Sequence, residues 1–245
     1  MTLSIQKFSL VIPVYNEEDN ISFLVEEINE VVPSSLCSEL ILVDDASTDS
    51  TCKIINRSVK VKSKIPLKLI RHKNNYGQSA SLLSGIQLAA CDTIITMDGD
   101  CQNDPRDMMK MLELAKDLVD PYLVIGHRYK RQDTLSRKIA SYIARKARKY
   151  LLGDTTPDTG CSLKVFSKNT YLSLPYFDHM HRFIPALVKR ASGKIISVNV
   201  NHRARKYGKS KYSNWRRFRV GIIDLLAVIW LIRRSPFPIK YFSDD

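Results

Sequence analysis

Short apolar runs and helical patterns alternate through the first half of the chain. Phe8–Val14 (FSLVIPV) is rich in β-branched residues and predicts a buried strand. Ile21, Leu24, Val25, Ile28, Val31 and Val32 then recur at helical spacing. Glu39–Val43 predicts a second strand, and the turn residues after it lead into a helix from about Ser50. Leu67–Arg71 predicts a third strand. Ser79–Ala90, small and apolar, predicts a helix that packs tightly. Thr93–Met97 predicts a fourth strand. Asp104-Pro105 predicts the start of a helix, with Asp as N-cap and Pro at the first helical position. Tyr122–Gly126 predicts a fifth strand.

The second half is less regular. An apolar stripe (Leu135, Ile139, Tyr142, Ile143, Tyr150, Leu151), with most basic residues on the other face and Lys146 inside the stripe, predicts an amphipathic helix over Leu135–Leu152. Strands are expected at Ser162–Phe166 and Lys194–Asn201, flanking a helix near His181–Ala191. Asn214–Arg234 predicts a last helix between basic clusters. Strand–helix alternation implies an α/β fold, a mostly parallel sheet with helices on both faces. Ligands of such sheets bind beyond the carboxyl ends of the strands. The polar tails Tyr15-Asn16-Glu17, Asp44-Asp45 and Asp98-Gly99-Asp100 are expected to gather there.

Composition narrows the class. With 245 residues, 44% hydrophobic and 26% charged, the chain is an ordinary globular one. No apolar run approaches the roughly 20 residues that span a bilayer. Residues 1–10 carry no basic stretch leading into an apolar one, so no signal peptide is expected. The five cysteines are widely spaced with no C-x-x-C pair, which argues against a disulfide scaffold or zinc site and fits a reducing compartment. The net charge of +13 is unevenly spread: residues 1–127 carry −6 and residues 128–245 carry +19. An acidic half joined to a basic one suggests a nucleotide-handling part and a part that faces phosphates.

Several chemistries are absent. The first strand–helix turn is Pro13-Val14-Tyr15-Asn16-Glu17, not G-x-G-x-x-G, and neither a P-loop nor a G-x-S-x-G elbow is present. No Gly-rich loop of the nucleotidyltransferase kind follows the first strand. What is present is Asp98-Gly99-Asp100 after an apolar strand, with Gln102 following. Carboxylates two apart at a strand end can hold Mg²⁺ or Mn²⁺, which also take substrate phosphates into their shell. Asp44-Asp45 is a second acidic turn; a carboxylate there can accept hydrogen bonds from a ribose or base, or the turn can serve helix capping through Ser47 or Asp49.

Four segments carry a resemblance. Val11-Ile12-Pro13-Val14-Tyr15-Asn16-Glu17-Glu18, Asp44-Asp45-Ala46-Ser47-Thr48-Asp49, Asn75-Tyr76-Gly77-Gln78 and Met97–Pro105 are similar, in order and spacing, to the family 2 glycosyltransferases with the GT-A fold. Asp158-Thr159-Gly160-Cys161, His181–Pro185 and Arg205–Tyr212 resemble the subgroup that acts on polyprenyl phosphates, which includes dolichol-phosphate mannose synthase and bacterial undecaprenyl-phosphate sugar transferases. The resemblance runs to about Pro236.

It implies an inverting enzyme that moves a sugar from a UDP- or GDP-linked donor to a polyprenyl phosphate, undecaprenyl or dolichyl. A saccharide or other hydroxyl acceptor is the alternative. It further implies that Pro13, Tyr15, Glu17, Asp44, Asp45, Asp98, Gly99 and Arg128 bind the nucleotide sugar. Asp100 and Gln102 would ligate Mg²⁺ or Mn²⁺. Arg182, Arg205, Ser210 and Lys211 would hold the acceptor phosphate. Asp98, Asp100, Arg205 and Lys211 would carry catalysis. Gly77 reads as a turn glycine, and Asp158 is open between turn residue and sugar contact.

Residues 1–212 are expected to form the GT-A domain and residues 213–245 a basic amphipathic segment. Within that segment Val220–Ile232 is apolar, contains Asp224, is too short to span, and lies between arginines. Such a segment fits an anionic membrane surface. The competing expectation is a helix packed on the core. A peripheral place on the cytoplasmic side of a membrane follows from the lipid substrate, and a homo-oligomer is compatible. Nucleic acid is not an expected partner: the acidic strand ends would repel its phosphates, and no aromatic-interleaved module is present.

Overall fold

The computed structural model describes residues 6–60, 63–129, 142, 145–146, 148–204 and 214–234. Each expected strand of the first half forms. The order is β1 (Phe8–Val14), α1 (Ile21–Val31), β2 (Cys37–Asp44), α2 (Thr51–Lys60), β3 (Leu67–Arg71), α3 (Gln78–Leu88), β4 (Thr93–Thr96), α4 (Asp107–Ala115) and β5 (Tyr122–Arg128). Then follow β6 (Lys164–Ser167), α5 (Lys168–Ser173), a 3₁₀ turn (Met180–Arg182), α6 (Ile184–Arg190), β7 (Lys194–Val200) and α7 (Asn214–Arg234). Within the first half, β1, β2, β4 and β5 are buried along most of their length, while β3 (LKLIR) is only partly buried.

Among the described residues one sheet runs β3-β2-β1-β4-β6-β5-β7. β6 is antiparallel to β4 and β5; the other pairings are parallel. The chain moves outward from β1 through β2 to β3, then returns to place β4 on the other side of β1. This reversal makes the carboxyl ends of β1 and β4 a topological switch point, where α/β sheets bind ligands. The central strands are sealed on both faces, with Leu10, Val11, Ile12, Ile41, Leu42, Ile94 and Ile95 fully buried.

The small residues of α3 allow a close approach to the sheet. Ser79 and Ser81 are buried, and a Cβ at Gly85 would run into Val11 Cγ1.

Three expectations need correction. α4 begins at Asp107, not at Pro105. Asp104 accepts from Arg106 N (3.1 Å) and binds Arg203 Nη2 (3.0 Å), while its carbonyl takes Asp107 N, so residues 104–106 form a turn ahead of the helix. The strand expected at Ser162–Phe166 is Lys164–Ser167. The helix expected near His181–Ala191 is a 3₁₀ turn followed by α6, the break falling before Ile184-Pro185. Of the expected amphipathic helix at Leu135–Leu152, residues 130–141, 143–144 and 147 lie outside the described residues; residues 148–152 are helical.

α7 packs on the core along one face, as the competing expectation for the C-terminal segment has it, and leaves apolar side chains exposed along another. Val228 is buried, and Leu225, Ile229, Leu231 and Ile232 pack against the core. Asp224 turns inward to His179 Nδ1 at 3.4 Å. Ile222, Ile223, Leu226 and Trp230 stand exposed on the outer side, Leu226 at 61% and Trp230 at 63%. No helix among the described residues is long and apolar enough to cross a membrane.

Candidate active site

The first two strand-end loops clasp each other. Asn16, with φ of 52°, accepts Thr48 N on its side-chain oxygen at 2.7 Å, and its own N–H donates to Ser47 Oγ at 2.9 Å. Glu17 N donates to Thr51 Oγ1 (2.8 Å), and Glu18 accepts Ser50 N (2.8 Å). Asp49 accepts Thr51 N at 2.9 Å, so the capping role open between Ser47 and Asp49 falls to Asp49. Pro13 and Tyr15 are half-buried at this edge, and the Glu17 carboxylate accepts from Asn20 Nδ2 at 2.7 Å.

The acidic pair after β2 faces the protein. Asp44 is fully buried; it accepts Ser47 N at 3.0 Å, and Arg71 Nε stands 3.6 Å away. Asp45 takes three donors: His72 Nδ1 (2.7 Å), Tyr76 N (2.9 Å) and Gly77 N (2.7 Å). Both carboxylates therefore shape loops, and Asp45 folds residues 72–77 over the cleft edge. Gly77 sits at φ 88°, the left-handed region that favours glycine, immediately before α3. Its reading as a turn glycine is compatible with this.

The β4 turn lies against the end of β1. A Cβ at Gly99 would stand 2.8 Å from Val14 Cγ1, so only glycine lets the two strand ends meet this closely. Asp98 accepts Gln78 Nε2 at 2.8 Å. Burial raises its carboxyl above the usual range, and Ser162, Lys164, Arg128 and Gln78 oppose that rise. Asp100 accepts Gln102 N at 3.2 Å, closing the turn.

Asp100 and Gln102 offer hard oxygen donors at the cleft. Among the described residues no three His, Cys, Asp or Glu side chains gather to hold a metal. Mg²⁺ and Mn²⁺ fit a sparser set, because they complete their shell with water and substrate phosphates.

Cations line the other side. Arg128, at the end of β5, is bound two ways to Asp158, Nε to Oδ2 at 2.6 Å and Nη2 to Oδ1 at 2.8 Å. Burial works against the guanidinium charge and Asp158 outweighs it. Arg128 is thus held in a rigid fork, its remaining donors limited by its partner. The structure gives Asp158 this pairing whichever of its two open readings applies.

Lys164 was missed in the sequence. It is buried in β6, donates to the Cys161 carbonyl, and its charge acts on Asp98 and Asp158. Burial lowers its pKa, against the pull of those acidic groups. A lone lysine inside the apolar run Leu163–Phe166 was the available signal. Arg182 lies half-buried in the 3₁₀ turn.

Arg203, also missed, ties the chain after β7 to the β4 loop. Its guanidinium binds Glu27 Oε1 (2.8 Å) and Asp104, its N–H donates to the Gln102 carbonyl (2.8 Å), and Gln102 Nε2 donates back to the Arg203 carbonyl (3.2 Å). Arg205, Ser210 and Lys211 lie outside the described residues.

Residues 9–172 match the family described as Glycosyl transferase family 2. The chain is 40% identical to dodecaprenyl-phosphate galacturonate synthase of Rhizobium johnstonii over 247 aligned residues, covering 97% of this chain and 70% of that one. It is 32% identical to undecaprenyl-phosphate 4-deoxy-4-formamido-L-arabinose transferase of Pectobacterium carotovorum, covering 92% and 68%. Among solved structures, glucosyl-3-phosphoglycerate synthase of Mycobacterium tuberculosis, in complex with Mn²⁺, UDP and phosphoglyceric acid, superposes with a TM-score of 0.67 at 17% identity, covering 95% of this chain and 80% of that one. That likeness carries the GT-A fold. With two thirds of its length matching the family and close relatives along nearly all of it, the chain belongs to glycosyltransferase family 2.

Proposed function

We propose that this glycosyltransferase moves a sugar from a nucleotide diphosphate sugar to a polyprenyl phosphate at a membrane surface. The observation that carries the reading is the meeting of two features at one place. The Asp98–Gln102 turn lies at the β1/β4 switch point, and Arg203, two positions before the basic 205–211 stretch of the sequence, is bonded to Gln102. The relatives named for polyprenyl-phosphate sugar transfer support it, and galacturonate, in the name of the 40% identical relative, is the first sugar to test.

In this reading the loops after β1 and β2, with Pro13, Tyr15 and the clasped Asn16–Thr48 turn, cradle the nucleotide, and Gly99 lets the donor lie close over the strand ends. Mg²⁺ or Mn²⁺ held by Asp100 and Gln102 would neutralise charge on the leaving diphosphate. Arg128, Arg182, Arg205, Ser210 and Lys211 bind phosphate groups. An acceptor phosphate oxygen attacks C1 from the face opposite the diphosphate, the C1–O bond to the nucleotide breaks, and the configuration inverts. The acceptor is already anionic near neutral pH, so the residues orient it rather than deprotonate it.

The test is a panel of UDP-galacturonate, UDP-glucose and GDP-mannose with Mn²⁺ and a short-chain polyprenyl phosphate, read by mass spectrometry. A glycosyl ester of the lipid phosphate is expected from at least one donor. Transfer to oligosaccharide hydroxyls, with none to the lipid, would replace this reading with the alternative acceptor.

The lipid is reached, in this proposal, by peripheral attachment on the cytoplasmic side. The outer face of α7 presents Ile222, Ile223, Leu226 and Trp230 beside exposed Arg233 and Arg234, a pairing suited to an anionic bilayer surface. Leu226→Gln combined with Trp230→Gln is expected to cut sedimentation with anionic liposomes about 10-fold at low salt, from the lost apolar burial. Because both side chains are exposed, the melting temperature should not move. Unchanged liposome binding would remove α7 from the attachment.

A further inference from the structure

His181 and Ser79 form a contact that the proposed reaction does not use. Ser79, in the first turn of α3, is fully buried. Its oxygen accepts the His181 backbone N–H at 3.3 Å and stands 2.8 Å from His181 Nδ1. A buried hydroxyl must place its own proton. Among the described contacts of Ser79, Nδ1 is the acceptor within reach, so the hydroxyl donates to Nδ1 and the ring proton resides on Nε2. Burial, with Arg182, Lys164 and His179 nearby, holds the ring well below its usual pKa, so it stays neutral.

The ring thus offers a single fixed N–H. Gln78, the residue before Ser79, reaches Asp98 at 2.8 Å, and Lys164 acts electrostatically on both Asp98 and His181. The imidazole and Asp98 are therefore held by adjacent residues in the first turn of α3, Ser79 and Gln78. In the proposed reading the cations serve the phosphates, and a neutral donor suits a neutral oxygen.

We propose that His181 donates its Nε2–H to a hydroxyl of the sugar on the nucleotide donor, and that Ser79 is the positioning residue that sets its tautomer. The proposal rests on the nucleotide-sugar reading above but not on the lipid acceptor.

Calorimetry without acceptor tests it, comparing whichever panel sugar nucleotide the full chain binds most tightly with the matching nucleotide diphosphate. His181→Ala should weaken nucleotide-sugar binding about 10-fold, the size of one lost hydrogen bond, and leave nucleotide diphosphate binding unchanged. His181→Gln, whose amide nitrogen can stand in for Nε2, should recover most of the loss. Ser79→Ala should give a smaller, sugar-specific loss of about 3-fold. Equal weakening of both ligands, no weakening, or failure of the glutamine to recover binding would overturn the proposal. If the alanine at 181 prevents folding, Ser79→Ala decides by the same comparison. A chain that binds nucleotide sugars yet transfers nothing to polyprenyl phosphate would defeat the acceptor assignment and leave this test standing.

Discussion

Asp100→Ala is expected to abolish sugar transfer, by at least about 1000-fold, while the protein stays folded. The size follows from the charge that a diphosphate leaving group develops: electrostatic stabilisers aimed at such charge are worth orders of magnitude in rate. The turn bond from Gln102 N to Asp100 Oδ1, at 3.2 Å, is a local one, so its loss should cost about 1 kcal/mol or less of stability. EDTA should silence the unaltered protein, and Mn²⁺ or Mg²⁺ should restore it but not the variant. Full activity in EDTA would take the metal out of the mechanism and leave Asp100 as a turn residue.

The second large effect belongs to Asp158. Arg128 and Asp158 are 15% and 13% exposed and share two charge-assisted hydrogen bonds. Removing one partner of a largely buried pair strands the other charge, which costs about 3 kcal/mol. For a chain of this size Asp158→Ala should therefore lower the melting temperature by about 10 °C. Transfer should fall as well, because a guanidinium without its fork partner loses its orientation. Asp158→Asn, which keeps an oxygen acceptor, should lose less stability. Arg128→Lys should keep the charge but not the two-point geometry, so a strong loss of activity with modest loss of stability would assign Arg128 to substrate rather than to scaffold. A melting temperature unchanged in Asp158→Ala would show that the pair is solvated and contributes little.

Much of the site was legible in the linear chain because strand ends are marked locally. An apolar run that stops at Tyr15, Asp44 or Asp98 announces where a strand leaves the core, and parallel strands bring those stops to one edge. Gly99 and Gly77 were visible as glycines, but the reason for each was not. Gly99 is required by the approach of Val14, which is 85 residues earlier, and Gly77 by a left-handed backbone angle whose N–H is claimed by Asp45. Asp104 misled because Asp-Pro is a good helix start in isolation. Its carboxylate does accept the N–H two residues on, at Arg106, but it also binds Arg203, far along the sequence, and α4 starts only at Asp107.

The division has a physical cause. Periodicity and turn chemistry act over a few residues, so the first five strands, the helices between them and the oxygen-rich turns could be read without knowing what lies beside what. Strand order, the reversed direction of β6, the inward turn of Asp44 and Asp45, the burial of Lys164 beside Asp98, and the pairing of Arg128 with Asp158 depend on contacts between distant segments. So does the two-sided character of α7. Its sequence shows apolar residues among arginines, and only packing decides that Val228 and Asp224 face the body while Leu226 and Trp230 face outward. The sequence alone marked the oxygen-rich turns and the strand ends that carry them. The tertiary structure decided which of those groups remain available to a ligand, because a carboxylate or guanidinium already satisfied by a neighbour has fewer hydrogen bonds left to offer.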